Sequence, residues 1–296
     1  MPELPEVETI RRRLAPLLVG RDVTGVTVYD ETVSDQSVAE LRRLTTGRRV
    51  EAIQRRGKYL ALDLGDVWLV IHLRMTGQLL LSRPEGARLP RMSLTFAPPC
   101  DLFFYDTRRF GRVWAVRQMR LPEFFAEMGV EPLSPEFTVA ALRGLLAGRR
   151  QPLKAFLLDQ RRIAGVGNIY ADETLFRAHL HPLRAAGTVG ARSAQHLHDA
   201  LVETLTLGIA NAGTSVDTFV DPEGASGSFQ EMLNVYQRTG QPCRVCGTPI
   251  ERIVVSGRST HFCPRCQPPR HVASRARRSS RPATLPRSTV GGLRRG

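Results

Sequence analysis

The sequence of 296 residues lacks both a long apolar run and a basic leader. No apolar run approaches the roughly 18 residues that are needed to cross a bilayer. The first ten residues are acidic and do not have the basic stretch followed by an apolar stretch that marks an export signal. We therefore expect no membrane partner, and we predict a cytoplasmic location in association with the nucleoid.

Several common catalytic signatures are also absent. The sequence contains no Walker-type phosphate loop, no Ser/His/Asp constellation, no nucleotide-cofactor fingerprint and no internal repeat. These absences leave amines, carboxylates and basic side chains as the candidates for chemistry.

Basic residues dominate the charge. A net charge of +14 and an isoelectric point of about 10.8 suggest a polyanionic partner, with nucleic acid first and an acidic membrane surface second. The 30 residues after Cys266 contain no acid and eight arginines, and so supply +8 of the +14. These arginines are Arg270, Arg275, Arg277, Arg278, Arg281, Arg287, Arg294 and Arg295. We expect this tail, residues 268–296, to be disordered, either as a solubilising extension or as a non-specific DNA tether.

The amino terminus presents an unusual set of reactive groups. Removal of Met1, which a small second residue permits, would leave the secondary amine of Pro2 beside the carboxylate of Glu3. An α-amino group titrates near ~8, whereas a lysine titrates near ~10.4, so part of the amine is nucleophilic at physiological pH. Attack on a sugar aldehyde carbon would give a charged iminium, an electron sink that makes neighbouring bonds cleavable. The alternative is a plain helix start, because apolar residues recur at helical spacing: Val7, Ile10, Leu14 and Leu17.

The opening Pro2-Glu3-Leu4-Pro5-Glu6 resembles that of formamidopyrimidine-DNA glycosylases, repair enzymes that remove oxidised purines such as 8-oxoguanine and then cut the strand. The resemblance extends to about Gln267. It implies that Pro2 is the Schiff-base nucleophile and Glu3 the general acid/base. The related endonuclease VIII group prefers oxidised pyrimidines and typically has glycine where this chain has Leu4, which favours the first group.

Four of the five cysteines form a metal-binding pattern. Cys243 and Cys246 are followed, after sixteen intervening residues, by Cys263 and Cys266, the spacing of a four-thiolate zinc site. Disulfides are the alternative, but a reducing compartment opposes them. We predict one structural Zn²⁺ holding a hairpin of strands 253–255 and 260–262, with Arg258 at its tip. His261 is expected to pack and not to bind metal, and Cys100 to be an isolated thiol.

Residues 21–118 carry mainly strand signals. Eight short β-rich runs at close spacing suggest an antiparallel sandwich: 23–28, 50–53, 59–64, 67–73, 79–81, 93–96, 102–105 and 113–116, with a tight loop at Gly65-Asp66. Helical signals follow a Pro-rich linker, at 142–146, 156–157 and 169–178.

The resemblance completes the expected fold, a two-domain α+β protein. It implies an N-terminal antiparallel β-sandwich with a flanking helix and a C-terminal helical domain, which contains a helix-two-turns-helix motif and a β-hairpin zinc finger. We place the boundaries at residues 2–130 for the sandwich, 131–240 for the helical domain and 241–267 for the zinc finger, before the tail at 268–296.

Three positions in the sandwich would act on DNA if the resemblance holds. Lys58 is implied to contact the phosphate and sugar of the lesion and to transfer protons; otherwise it is a solvated lysine. An enzyme that flips out a base must fill the gap. The resemblance assigns Met75 and Phe110 as wedges and Arg108 as the partner of the orphaned cytosine. Taken alone, these residues fit two core side chains and a solvated arginine equally well. Arg74 departs from the glycine often found at its position.

The helical domain contains the stretch Gly165-Val166-Gly167-Asn168, which on its own usually links two helices. The glycines allow unusual backbone turns, Asn168 is expected to cap the next helix, and the amides at that helix start are expected to bind a phosphate. By resemblance this is the helix-two-turns-helix motif, in which Asn168 and Lys154 touch the DNA backbone and Tyr236 lies near a phosphate. A flexible loop at residues 221–228 would close over the everted base.

These features predict a monomeric bifunctional DNA glycosylase/AP lyase of base-excision repair. Its partner is double-stranded DNA with oxidised bases or abasic sites, and β-elimination is followed by δ-elimination, with Arg258 implied as the proton donor. Two alternatives remain: an oxidised-pyrimidine glycosylase of the endonuclease VIII type, and a non-catalytic zinc-finger protein that senses lesions.

Overall fold

The computed structural model describes residues 1–216 and 218–269, and this part of the chain has an α+β fold. Its α-helices are α1 Leu4–Leu18, α2 Val38–Thr45, α3 Leu121–Phe124, α4 Val139–Leu146, α5 Leu153–Leu158, α6 Asn168–Arg177 and α7 Ala191–Ala210. Its β-strands are β1 Asp22–Val28, β2 Ala52–Arg56, β3 Tyr59–Asp63, β4 Val67–His72, β5 Gly77–Leu80, β6 Met92–Ala97, β7 Cys100–Asp106, β8 Arg112–Arg117, β9 Glu251–Val255 and β10 Arg258–Phe262. The eight arginines of the predicted tail lie outside the described residues.

The first eight strands form the predicted antiparallel sandwich. One four-stranded sheet has the order β1-β6-β7-β5 and the other β2-β3-β4-β8. Strands β3 and β4 pair antiparallel across the predicted tight loop, where the Leu64 N–H donates to the Val67 carbonyl at 2.8 Å. Apolar side chains from the facing sides of both sheets meet in one core, including Val23, Phe96, Leu62 and Ile71.

The second predicted strand is shifted along the chain. The prediction was 50–53, but β2 begins at Ala52. Val50 instead exchanges hydrogen bonds with the turn after α1: its N–H donates to the Arg21 carbonyl at 2.9 Å and its carbonyl accepts from Gly20 at 2.8 Å. Both backbone groups of Val50 are thus used before the sheet begins.

Helix α1 lies between the two halves of the molecule. Its face of Val7, Ile10 and Leu14 is buried in the sandwich core as predicted, and Leu18 is fully buried there, whereas Leu17 is only half-buried. The helix packs on β2 and β3 on one side and on α7 on the other. The first turn of the chain is therefore held between both domains.

The helical domain has its own core. Buried side chains from α4 to α7 meet there, including Leu142, Phe156, Tyr170 and Leu201. Helix α7, with 20 residues, forms much of this core, and neither α7 nor α2 was anticipated from the sequence. Strands β9 and β10 form the separate two-stranded hairpin, which packs on α6. Among the described residues, no helix combines the length and apolarity that a membrane span requires.

Candidate active site between the sandwich and the zinc hairpin

A cavity of about 370 Å³ opens where three parts of the chain meet. The start of α1 contributes Glu3, the turn between β2 and β3 contributes Lys58, and the zinc hairpin contributes Arg258. Met1 and Glu3 line the cavity on either side of Pro2 in sequence, and Pro2 itself is buried. The structure thus brings the carboxylate of Glu3 and the basic side chains of Lys58 and Arg258 to one cavity, at the residues that flank Pro2.

The carboxylate of Glu3 is held by the backbone of the other domain. Only 2% of Glu3 is exposed. Its Oε2 accepts the Gly167 N–H at 2.7 Å and its Oε1 accepts the Ile169 N–H at 3.0 Å, both at the start of α6. The predicted cap by Asn168 is therefore wrong, because Asn168 is already the first helical residue and Glu3 satisfies the free amides. For the same reason these amides are not open to a DNA phosphate.

Two glycines allow Glu3 to approach the backbone at the start of α6, each in a different way. Gly165 has φ of +86°, the left-handed conformation that the sequence analysis predicted for it. Gly167 has an ordinary φ of −125°, but a Cβ there would lie 2.3 Å from the carboxyl carbon of Glu3. Gly167 is thus needed for space and not for backbone freedom, which corrects the sequence interpretation.

Lys58 is buried, which excludes the alternative of a solvated lysine. Only 6% of the residue is exposed. Burial lowers the pKa of its ammonium and the nearby Arg258 lowers it further, while the charge of Glu3 opposes the shift. A lowered pKa increases the neutral fraction of the amine at physiological pH, so Lys58 is suited to accept and return a proton.

Glu6 is a buried carboxyl that the sequence analysis read only as part of a helix start. Its Oε2 accepts the Glu3 N–H at 2.7 Å, and its Oε1 accepts both the Tyr170 hydroxyl at 2.7 Å and the Thr214 N–H at 2.8 Å. Burial and the neighbouring charge of Glu3 raise its pKa to about 7. No local signal could have revealed this environment, because Tyr170 and Thr214 are remote in sequence.

His72 also lines the cavity, and its ring is neutral. Burial, with smaller contributions from Arg74 and Lys58, lowers its pKa to about 3. Its Nδ1 accepts the Arg74 N–H at 3.0 Å, so the remaining ring proton is on Nε2. Arg74 has φ of +55°, a conformation that favours glycine. The bond to His72 helps to hold Arg74 in this left-handed turn.

The three predicted gap-filling residues lie on two neighbouring loops. Phe110 is 49% exposed, which contradicts the alternative of a core phenylalanine. The guanidinium of Arg108, an exposed residue, stacks on the Phe110 ring at 4.8 Å from its centroid. Met75 is half-buried and lines the cavity. An exposed aromatic ring, a stacked cation and a methionine are thus presented on the same side of the sandwich as the cavity.

Lys154 is not at the surface. It is fully buried, and its ammonium is paired with Asp172 and lies 3.4 Å from the Ser259 carbonyl oxygen. The direct contact with the DNA backbone that the resemblance implied is therefore not open to Lys154 in this conformation. Asn168, which lines the cavity, donates from Nδ2 to the same Ser259 oxygen at 3.0 Å.

This buried network joins the hairpin to α6. Asp172 Oδ2 accepts the His261 N–H at 3.0 Å, and His261 is buried as the sequence analysis expected of a packing residue. The edge of the Tyr236 ring packs on His261, with centroids 5.1 Å apart, and Tyr236 also lines the cavity. Arg258 is the first residue of β10 and not part of the turn, which consists of Ser256 and Gly257.

The segment 221–228 is a set of anchored turns and not the predicted flexible loop over the site. Asp221 is 2% exposed, and its Oδ1 accepts from Glu223 at 3.0 Å and from Ala225 at 2.9 Å. The Pro222 carbonyl accepts from Leu81 at 2.9 Å. None of the described cavity-lining residues comes from this segment.

The four predicted metal ligands form a cluster. The sulfur atoms of Cys243, Cys246, Cys263 and Cys266 all lie within 4.8 Å of one another. The Cys243–Cys266 and Cys246–Cys263 sulfur distances are 3.9 and 3.5 Å, close to the separation of about 3.8 Å that four thiolates at ~2.3 Å from a tetrahedral zinc require. The donor set and its spacing fit one structural zinc. Cys100 lies apart from this cluster and is half-buried.

The fold and the site together define a class of protein: a β-sandwich joined to a helix-two-turns-helix domain, with a four-thiolate hairpin beside the shared cavity. Three family models match the chain: the formamidopyrimidine-DNA glycosylase N-terminal domain at residues 1–113, the formamidopyrimidine-DNA glycosylase H2TH domain at 128–220, and the zinc finger found in FPG and IleRS at 240–269. The chain belongs to the formamidopyrimidine-DNA glycosylase family.

Individual relatives match over most of their length. The formamidopyrimidine-DNA glycosylase of Chloroflexus aurantiacus is 47% identical over 271 residues, which cover 90% of this chain and 98% of that protein. The crystal structure of the MutM (FPG) protein from Thermus thermophilus is 44% identical with a TM-score of 0.82, covering 90% of this chain and 98% of that one. The Lactococcus lactis Fpg, in a complex with an abasic site containing DNA, is 35% identical with a TM-score of 0.84, covering 90% and 100%.

Proposed function

We propose that this chain is a bifunctional DNA glycosylase/AP lyase of base-excision repair, which removes oxidised purines such as 8-oxoguanine and formamidopyrimidines and then cuts the strand. The observation that carries this proposal is the meeting of Glu3, Lys58 and Arg258 in one cavity at the amino terminus. Family membership supports the same activity, and the Lactococcus lactis relatives form complexes with DNA that contains Fapy-dG or an abasic site.

The proposed reaction begins with Pro2 as an amino-terminal secondary amine, after removal of Met1. Its neutral nitrogen forms a bond to C1′ of the damaged nucleotide as the bond from C1′ to the base breaks; Glu3 accepts the proton of the attacking N–H, and the departing base takes a proton from water. Glu3 assists proton transfer to the sugar ring oxygen as the ring opens. The product is an iminium between Pro2 and the open sugar, which withdraws electrons from C2′.

Strand cutting uses this iminium in two elimination steps. Loss of a proton from C2′ expels the 3′ phosphate, and a second elimination expels the 5′ phosphate, which leaves a one-nucleotide gap. The burial and the lowered pKa of Lys58 support a role for this residue in moving the first proton. Arg258, at the edge of the zinc hairpin, donates a proton in the second step. Zinc bound by the four thiolates would stabilise the fold of the hairpin.

Further residues are proposed to bind the DNA. Met75 and Phe110 fill the space left by the everted base, and Arg108 contacts the orphaned base. Asn168 and Tyr236 approach the backbone from the cavity wall, and such contacts position DNA without reading its sequence. Buried Lys154 helps to position Asn168, because both side chains donate to the Ser259 carbonyl oxygen.

We also propose that the protein acts as a monomer on double-stranded DNA in the cytoplasm, in association with the nucleoid. We propose domain boundaries at 2–130, 131–240 and 241–267, for a chain whose family models match residues 1–113, 128–220 and 240–269. A tail at residues 268–296 completes the proposed organisation.

The decisive test is covalent trapping with borohydride, which reduces an iminium to a stable amine. We expect a duplex with 8-oxoguanine opposite cytosine to become linked to the protein, with the adduct mapped to Pro2. An uncleaved amino-terminal extension should abolish trapping and strand cutting while sparing binding, whereas the same extension at the carboxyl terminus should spare all three. Full activity of the amino-terminally extended protein would contradict the role of Pro2.

A panel of lesions separates the alternatives. Faster cutting of 8-oxoguanine and formamidopyrimidine duplexes than of thymine-glycol duplexes supports a purine-type enzyme, and the reverse order supports an endonuclease VIII type. Binding without any adduct by zinc-loaded, processed protein would support a lesion sensor.

A further inference from the structure

The hydroxyl of Thr76 joins the two loops that carry the proposed gap-filling residues. One loop, residues 73–77, contains Met75, and the other, residues 106–111, contains Arg108 and Phe110. Thr76 Oγ1 donates to Asp106 Oδ1 and accepts the Arg108 N–H at 3.2 Å. A single side-chain oxygen therefore fixes the backbone of Arg108 relative to the residue next to Met75.

Asp106 provides a rigid base for this link. Its side chain is fully buried. Its Oδ1 also accepts the Arg108 N–H at 3.2 Å, and its Oδ2 accepts the Gly111 N–H at 2.6 Å. The carboxylate of Asp106 thus binds the second loop at both of its ends, and Thr76 attaches the first loop to the same group.

A buried arginine holds the carboxylate in place. Arg91 is 4% exposed, and its Nη1 lies 3.6 Å from Asp106 Oδ2 and donates to the Gly111 carbonyl at 2.7 Å. Its Nε donates to Asp30 Oδ2 at 2.8 Å. Because this charged network is buried and its members are hydrogen-bonded to one another, its geometry is well defined. The sheet strengthens it further, since Gly77 is paired with Asp106 across β5 and β7.

We infer that Thr76 is a positioning residue for the base opposite the lesion: its hydroxyl sets where the Arg108 guanidinium stands relative to Met75, and thereby sets the preference for one opposite base over another. This inference rests on the proposed function. Recognition by hydrogen bonds requires placement to within about 0.5 Å. Because the Arg108 guanidinium stacks on the Phe110 ring, the position of Arg108 also affects the position of Phe110.

The positioning role of the Thr76 hydroxyl is distinct from a contribution to overall stability. Thr76 is half-buried and lies on the surface side of the network, so removal of its hydroxyl leaves the Arg91 contacts in place. The first loop then loses its side-chain link to Asp106 and to the Arg108 N–H. Arg108 then keeps only the Asp106 acceptor for its N–H, so its position relative to Met75 is less firmly fixed, and we expect its guanidinium to distinguish between opposite bases less sharply.

The test compares Thr76→Val, which removes the hydroxyl at nearly constant shape, with Thr76→Ser, which keeps it. Excision rates are measured on 8-oxoguanine duplexes with cytosine or adenine opposite the lesion. We expect the cytosine-to-adenine rate ratio to fall about fivefold in Thr76→Val, as loss of one hydrogen bond of about 1 kcal/mol implies, and to be preserved in Thr76→Ser. Thr76→Ala, with unfolding midpoints measured for all variants, replaces the valine variant if that protein does not fold.

The ratio is the decisive quantity because loss of folded protein lowers both rates by the same factor. A ratio that is equal in wild type and the hydroxyl-free variants, including a ratio near one in both, overturns the inference. A failure of the proposed function looks different, since wild-type protein would then excise 8-oxoguanine from neither duplex.

Discussion

At the scale of single residues, two carboxyls one helical turn apart have different tasks. Glu3 faces the cavity and is held by the backbone amides of Gly167 and Ile169. Glu6 is enclosed by Tyr170 and Thr214 and accepts the Glu3 N–H. The backbone of Glu3 is thus held by a second carboxyl, whose pKa is raised to about 7 by burial and by Glu3 itself.

Replacement of Glu6 by glutamine should change how stability depends on pH. The pKa of this carboxyl is 4.5 in its unperturbed form and about 7 in the fold. Between these values the folded protein retains a proton that the unfolded chain has lost. The contribution of Glu6 to the free energy of unfolding is therefore fully present below pH 4.5 and is lost as the pH rises through 7. We expect wild type to lose roughly 2 to 3 kcal/mol relative to Glu6→Gln between pH 5 and pH 8, measured by urea unfolding.

Glu8, on the same helix, is the matched control. Burial raises its pKa, but hydrogen bonds from Arg11 and Arg12 outweigh this and lower the pKa to about 2. Its carboxyl stays ionised throughout the measured range once folded, so the stability difference of Glu8→Gln from wild type should be almost constant between pH 5 and pH 8. A flat difference for Glu6→Gln as well would show that Glu6 is ionised in the folded protein.

At the scale of elements, the zinc hairpin is a small unit that depends on others. The apolar cluster beside its metal site consists of Cys243, Cys263 and Ile250, together with Phe176 of α6 and Val235. Such a small core does not stabilise a two-stranded hairpin by itself. Thiolate coordination and the Asp172–His261 contact with α6 are therefore what hold Arg258 at the cavity.

Loss of one zinc ligand should release the hairpin. In Cys263→Ser the metal loses a fully buried thiolate, and we expect zinc content below one per chain together with weaker binding of abasic-site duplex, because metal binding supplies the folding energy of such units. Metal content and affinity are measured on the same samples. The matched control is Cys100→Ser, which changes a cysteine outside the cluster and should retain one zinc per chain. Unchanged metal content and affinity in Cys263→Ser would contradict the assignment.

At the scale of the whole molecule, local patterns predicted the layers of the fold but not the contacts between them. Short β-rich runs at close spacing identified all eight sandwich strands, the second of them shifted along the chain, and cysteine spacing identified the metal site beside the hairpin. Helix α7 was missed, although its buried positions Leu197, Leu201 and Leu205 have helical spacing. The capping of α6 by Glu3 could not be foreseen, because a helix start normally takes its cap from the preceding residues.

The site was predictable to the extent that its residues lie near recognisable motifs. Glu3, Lys58 and Arg258 were named from the sequence and line one cavity. The burial of Lys154 and the anchoring of Asp221 were not foreseen, because both depend on partners far along the chain: Asp172 and Ser259 for Lys154, and Arg13 for Asp221. Charge alone favours exposure for both residues.

The charge of the whole chain predicts how DNA binding responds to salt. Residues 270–296 carry eight arginines and no acid, so a chain shortened to residue 269 keeps +6 of the +14. We expect the affinity of this shortened chain for abasic duplex to fall on the order of 100-fold between 50 and 200 mM salt, as about four phosphate contacts imply. The full chain, titrated in parallel, reports any added contribution of the tail. A nearly flat response of the shortened chain would mean that its basic surface is not where DNA docks.

The hydrogen bonds between the Glu3 carboxylate and the first turn of α6 affect how the two domains can move. A hinge motion that separated the sandwich from the helical domain would break the hydrogen bonds of this carboxylate with the Gly167 and Ile169 amides. The carboxylate and both amides would then lack hydrogen-bond partners. The two domains are therefore held together at the candidate active site. For the proposed reaction at Pro2, the distortion that brings a lesion to the cavity is then expected in the duplex, whose bending is offset by the contacts that the bend creates.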